Sequence, residues 1–167
     1  MGLAVTFSPR LLALAAAVLD EARAKGLRLA TAESCTGGLI AGLLTEIPGS
    51  SDVLDRGFVT YSNEAKEAML GVPHDLIAAH GAVSAEVARA MAEGALSHTL
   101  AGLSLAVTGI AGPSGGSPEK PVGLVHFAAA HRGTQMLHEE HRFGDVGRSA
   151  VRLKSVETAL FLLRKLL

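Results

Sequence analysis

Apolar residues along the chain switch repeatedly between helical and strand spacing, and the switching predicts alternating helices and strands. Leu11, Leu12, Leu14, Ala15, Val18, Leu19 and Ala22 recur at helical spacing behind Ser8 and Pro9, a capping serine and a first-turn proline. Gly26 stops that run, and Leu27 to Ala32 reads as a short buried strand. A helix from about Gly37 to Glu46 ends at Pro48-Gly49, and a second strand spans Val53 to Tyr61. Ser62-Asn63 then caps a helix carrying Ala65, Lys66 and Leu70, which Gly71-Val72-Pro73 breaks before a helical turn from Asp75 to Ala79. Ser84, with Glu86 in the first turn, opens a long helix whose inner face is Val87, Ala88, Met91, Ala95 and Leu96. Leu103 to Thr108 is almost wholly apolar and predicts a central strand buried on both faces. A glycine-rich loop at 109–118 follows, then strands Val122 to Ala130 and Gln135 to Phe143 joined around His131-Arg132-Gly133, then a helix from about Val146 to Leu166. Helices alternating with strands, closed by a hairpin, predict an α/β protein: one three-layer α/β/α domain over residues 1–167 with a mixed, mostly parallel five-stranded sheet.

Composition narrows the function. The chain has 167 residues and is 49% hydrophobic, with 15 Lys and Arg against 16 Asp and Glu, no Trp and one Tyr. That balance excludes a disordered tail, and the lack of a basic run or stacking aromatics argues against nucleic acid as a partner. A single cysteine rules out an internal disulfide and zinc-finger or CxxC chemistry. Arg10 followed by Leu11 to Leu19 imitates a signal peptide, but Asp20, Glu21, Arg23 and Lys25 follow at once and favour an amphipathic helix. Met1-Gly2 with Thr6 matches a loose myristoylation pattern, a string too short to weigh. No stretch reaches the roughly 18 apolar residues of a membrane span, so a soluble, cytoplasmic protein with no membrane partner is expected. The small-residue helix from Ser84 suits an interface, and a homo-oligomer is expected.

Three loops fall at the carboxyl edge of such a sheet, where α/β proteins bind ligands. Thr31-Ala32-Glu33-Ser34-Cys35-Thr36-Gly37-Gly38 puts a serine on a sharp strand-to-helix turn, with N–H groups at Thr36, Gly37 and Gly38 placed for an oxyanion or a phosphate. The same residue types also serve as a plain helix cap. Tyr61-Ser62-Asn63-Glu64-Ala65-Lys66 brings a lysine to the same edge, a base for Ser34 once burial makes it neutral, or else an ordinary surface lysine. Thr108-Gly109-Ile110-Ala111-Gly112-Pro113-Ser114-Gly115-Gly116 offers a nest of backbone N–H groups, with neither Walker A nor dinucleotide spacing. Arg148 and Arg152, one turn apart, form a candidate anion clamp or a solvated face. The seven histidines read as solvated; His138 and His141 point to opposite faces of a strand and are unsuited to hold one metal ion. Cys35 is a rival nucleophile with no histidine beside it.

Seven ordered blocks, TAESCTGG at 31–38, PGSS at 48–51, GFVTYSNEAK at 57–66, GAVS at 81–84, TGIAGP with GG at 108–116, EKPVG at 119–123 and RSAVR at 148–152, resemble the C-terminal domain of the CinA family. Stand-alone members of that family are nicotinamide mononucleotide amidases of pyridine-nucleotide salvage and NAD metabolism. The resemblance implies a three-layer α/β/α fold and metal-free, cofactor-free hydrolysis of nicotinamide mononucleotide to nicotinate mononucleotide and ammonia. It makes Ser34 the nucleophile and Lys66 the base, with Tyr61 and Thr108 as orienting hydroxyls and Arg148 beside the substrate or the pair. Asn63, Gly109 and Gly112 fall in the same motifs and join Thr36, Gly37, Gly38 and Arg148 as candidate substrate contacts. A non-catalytic nucleotide-binding module linked to competence or DNA damage is the alternative the family name raises. Two departures stand out: Ser114 occupies the place of a family acid, and in Gly144-Asp145-Val146-Gly147-Arg148 it is Gly147 that precedes the arginine, where the family's Gly-Asp-Arg has an acid.

Overall fold

The computed structural model describes residues 7–167, so the Met1-Gly2 pattern lies outside it. Six helices and five strands are described: α1 (Pro9–Ala24), β1 (Leu29–Glu33), α2 (Leu39–Glu46), β2 (Leu54–Val59), α3 (Asn63–Leu70), α4 (His74–His80), α5 (Ala85–Ser97), β3 (Leu103–Gly109), β4 (Leu124–His131), β5 (Gln135–Arg142) and α6 (Arg148–Arg164). Side-chain caps open three helices where the pattern placed them, with Ser8, Ser62 and Ser84 accepting from the N–H three residues on.

The strands lie in the order β2-β1-β3-β4-β5. β1 is parallel to β2 and β3, while β4 is antiparallel to both β3 and β5. Four strands therefore share one direction and β4 alone opposes them, which is the mixed three-layer sheet expected from the pattern. β3, the most continuously apolar run, takes the centre and is buried along almost its whole length.

Alternation along the strands divides two cores. Leu29, Leu103, Leu105, Val107, Val125 and Phe127 face α1, α2 and α6, whereas Ala30, Ala32, Ala106, Ala128 and Ala130 face α3, α4 and α5. The alanine face lets α5 settle close to the sheet, and its Ala88, Ala92 and Ala95 are wholly buried there. The small residues read as an oligomer interface are thus used within the chain. Gly94 completes this close packing: a Cβ there would lie 2.1 Å from the Leu70 carbonyl oxygen at the end of α3.

Several boundaries differ from expectation for local reasons. α2 starts at Leu39 rather than Gly37, because Gly37 and Gly38 sit at φ +57° and +99°, outside the helical region. β2 stops at Val59, freeing Thr60 and Tyr61 to turn toward α3. No described helix is long and apolar enough to cross a membrane.

Connectivity decides where chemistry can gather. After β1 the chain enters α2 on one face; after β2 it enters α3 on the other, opening a crevice between the two strand ends. The β4–β5 hairpin returns the chain to that same edge, so α6 begins there.

Candidate active site

Ser34 follows the last residue of β1, and its N–H donates to Val107 O at 3.0 Å while Thr60 N–H donates to Glu33 O at 2.9 Å. The turn that carries Ser34 is therefore tied to strands on both sides. Across the crevice, Lys66 lies one turn inside α3, is 1% exposed, and donates from Nζ to Ser34 Oγ at 3.0 Å, to Thr60 O at 2.8 Å and to Ser62 O at 3.5 Å. These three partners carry no formal charge. Burial accordingly pushes the Lys66 amine below its ordinary range, since desolvation disfavours the ammonium. A neutral amine keeps two N–H donors for the carbonyls and turns its lone pair toward the Ser34 hydroxyl, which then donates.

The pair opens into a cavity of about 340 Å³ lined by both loops, the 82–83 segment and α6. Lys66 and Arg148 are the basic side chains on its described lining, and no carboxylate joins them. Tyr61, Asn63, Thr108, Gly109, Gly112 and Arg148 all line it. Arg148 donates to Gly112 O at 2.8 Å and to the Tyr61 hydroxyl at 2.9 Å, spanning the cavity mouth between the glycine-rich loop and the end of β2. Thr108 donates to Ala82 O at 2.8 Å, anchoring the 82–83 segment rather than touching the Ser34–Lys66 pair. Ser114, at a departure from the family pattern, also lines the cavity.

Thr36, Gly37 and Gly38 do not line it. The Thr36 hydroxyl donates to Glu33 Oε1 at 2.7 Å, and Gly37 N–H donates to Ser34 O at 3.0 Å, closing the turn. The positive end of α2 is also occupied: Ile40 and Ala41 N–H donate to the Glu33 carboxylate at 2.9 and 3.0 Å. Gly37 is exposed and Gly38 half-buried, and both sit outside the lining of the cavity beside Ser34. Sequence reasoning passed over Glu33, although an acid ending an apolar strand just before a helix was the available signal.

Arg152 likewise leaves the clamp proposed for it. Its guanidinium donates to the carbonyls of Cys35 and Thr36 at 3.1 and 3.3 Å and does not line the cavity. Cys35 does line it, but burial pushes its thiol up to about 12, so the sulfur stays protonated at neutral pH and is a poor rival to Ser34. His126 is buried rather than solvated, with Nδ1 3.0 Å from His138 Nε2, because α5 and the β4–β5 register enclose it. Among the described residues, no three His, Cys, Asp or Glu side chains converge as metal ligands.

Comparison with known proteins gives this geometry a context. Residues 11–167 match the CinA C-terminal domain. A CinA-like protein of Anaeromyxobacter sp. is 55% identical over 148 residues, covering 88% of this chain and 36% of its own length. The chain thus spans about a third of the length of that curated relative. The crystal structure of competence/damage inducible protein CihA from Agrobacterium tumefaciens is 54% identical with a TM-score of 0.94, covering 99% of each chain. A CinA superfamily protein from Escherichia coli is 35% identical with a TM-score of 0.90, covering 98% of this chain and 95% of its own.

Proposed function

From the premise that this chain belongs to the CinA C-terminal domain family, we propose that it is an amidohydrolase converting nicotinamide mononucleotide to nicotinate mononucleotide and ammonia. The observation that carries the reading is the contact of Lys66 Nζ with Ser34 Oγ at 3.0 Å, in a buried setting with no counter-charge. That is the environment in which a lysine becomes a base near neutral pH.

In this reading neutral Lys66 takes the Ser34 proton as Oγ attacks the carboxamide carbon. The resulting Lys66 ammonium then protonates the amide nitrogen of the tetrahedral intermediate, the C–N bond breaks, and ammonia leaves an acyl ester on Ser34. Water attacks that ester while Lys66 accepts its proton, and the proton returns to Ser34 Oγ as the nicotinate product departs. No step needs a metal or a cofactor. Arg148 supplies the positive charge for the substrate phosphate, and the backbone of 109–115 packs against the nucleotide.

The test is ammonia release from nicotinamide mononucleotide, with and without a chelator, for the wild type and a folded Ser34→Ala variant. Turnover that survives chelation and disappears in the variant is expected. Nucleotide binding without ammonia release would overturn the reading in favour of a non-catalytic nucleotide-binding module.

A further inference from the structure

The geometry points to Arg152 as a positioning residue that presets the Ser34 turn, with the Cys35 N–H as the oxyanion donor; the inference rests on Ser34 being the nucleophile. Arg152 is half-buried on α6 and forms no ion pair among the described residues. Its guanidinium instead donates to two consecutive carbonyls, Cys35 O at 3.1 Å and Thr36 O at 3.3 Å, immediately after Ser34. A partly desolvated cation without a carboxylate is costly to keep in place, and here its bonds go to the turn that carries the nucleophile.

The backbone of that turn is constrained from three directions. Ser34 N–H is held by Val107 O, Ser34 O accepts from Gly37 N–H, and Arg152 grips the next two carbonyls. Gly37 adopts φ +57°, and a Cβ on it would lie 3.2 Å from the Arg152 guanidinium, so turn and arginine fit closely against each other. A planar trans peptide points its N–H opposite to its carbonyl. Because Ser34 O faces inward to Gly37, the Cys35 N–H faces out of the turn; Cys35 lines the cavity, and its N–H reaches no backbone carbonyl among the described residues. With no carbonyl claiming it and Ser34 next to it in the chain, this N–H is placed to donate to the oxyanion of a carbonyl attacked by Ser34 Oγ. A guanidinium on the Cys35 and Thr36 carbonyls fixes this arrangement before substrate arrives and polarises the same run of peptide groups.

Two rates are compared for wild type, Arg152→Met and Arg152→Lys, all checked for native circular dichroism and melting. One is turnover of nicotinamide mononucleotide; the other is phosphonylation of Ser34 by a fluorophosphonate, which needs the nucleophile and the oxyanion donor but no nucleotide. Arg152→Met should lower kcat and the labelling rate about 100-fold. KM should change less than about threefold and the acid limb of the pH profile should not move, while Arg152→Lys recovers part of both rates. Rates within twofold of wild type in Arg152→Met overturn the inference, as does a rise in KM at unchanged kcat, which would make Arg152 a substrate contact. A wild type that is labelled at Ser34 but releases no ammonia defeats the substrate reading alone, and the labelling rates still decide the role of Arg152. A wild type inert in both assays removes the nucleophile and the inference with it. If Arg152→Met does not fold, Arg152→Lys is read by the same criteria; failure of both to fold makes Arg152 a structural brace and overturns the inference.

Discussion

Glu33 and Lys66 flank the same strand end, both out of water, and they are treated in opposite ways. Glu33 is fully buried, and its carboxylate accepts from the Thr36 hydroxyl and from the N–H groups of Ile40 and Ala41 at the positive end of α2. Lys66 is as deeply buried but meets two carbonyls and the Ser34 hydroxyl, with no charge to balance it. A buried ion with a full set of donors braces the fold, whereas a buried amine without a counter-charge gives up its proton readily and becomes a base. The sheet separates the two, Glu33 facing α2 and Lys66 standing on the α3 side, so they do not neutralise one another.

The largest effect should come from removing the amine. Lys66→Met should cut ammonia release by about a thousandfold or more while its melting temperature stays level or rises, because an apolar side chain of similar length replaces a buried amine that has no counter-charge. A fall of several degrees in melting temperature would instead make Lys66 structural. The converse variant, Glu33→Ala, should lose about 3 kcal/mol in urea unfolding by stranding two buried donors and one half-buried one. A loss below about 1 kcal/mol would show that water or a neighbour satisfies them.

Titration sharpens the same contrast. Burial lowers the Lys66 pKa from the ordinary 10.5, so the acid limb of kcat/KM should titrate below that value. Between the folded and unfolded values the unfolded chain binds more protons, so wild-type stability should rise as pH climbs toward 10.5. Lys66→Met should lose that slope in pH-dependent melting, and an unchanged slope would assign it to another group. The smallest effect belongs to His126 and His138, both lowered from 6.5, chiefly by burial. Their contribution is complete above pH 6.5 and declines as pH falls through their folded values, so His126→Gln should flatten melting between neutral and mildly acidic pH. A His126→Gln variant that tracks wild type across that range would show that the pair carries no charge-linked stability.

Much of the candidate site was legible because Ser34 and the turn leading into the first turn of α3, which carries Lys66, both follow strand ends, where a parallel sheet gathers its loops. Glu33 was overlooked because its main-chain donors lie seven and eight residues ahead and reach it only when α2 folds back. Arg148 and Arg152 look like one clamp at helical spacing. In the fold the start of α6 passes over two different loops, and each arginine meets its own. His126 reads as solvated in a polar hairpin, yet its exposure is set by α5, a distant element.

The sequence by itself determined the order of helices and strands, the serine caps, the central place of β3 and the mixed sheet. Those depend on periodicity and on contacts within a few residues, which local composition encodes. Tertiary structure alone decided that Lys66 touches a serine 32 residues away and that Arg152 grips a turn 117 residues before it. Such contacts depend on sheet order and on the face each crossover takes, so no local pattern contains them.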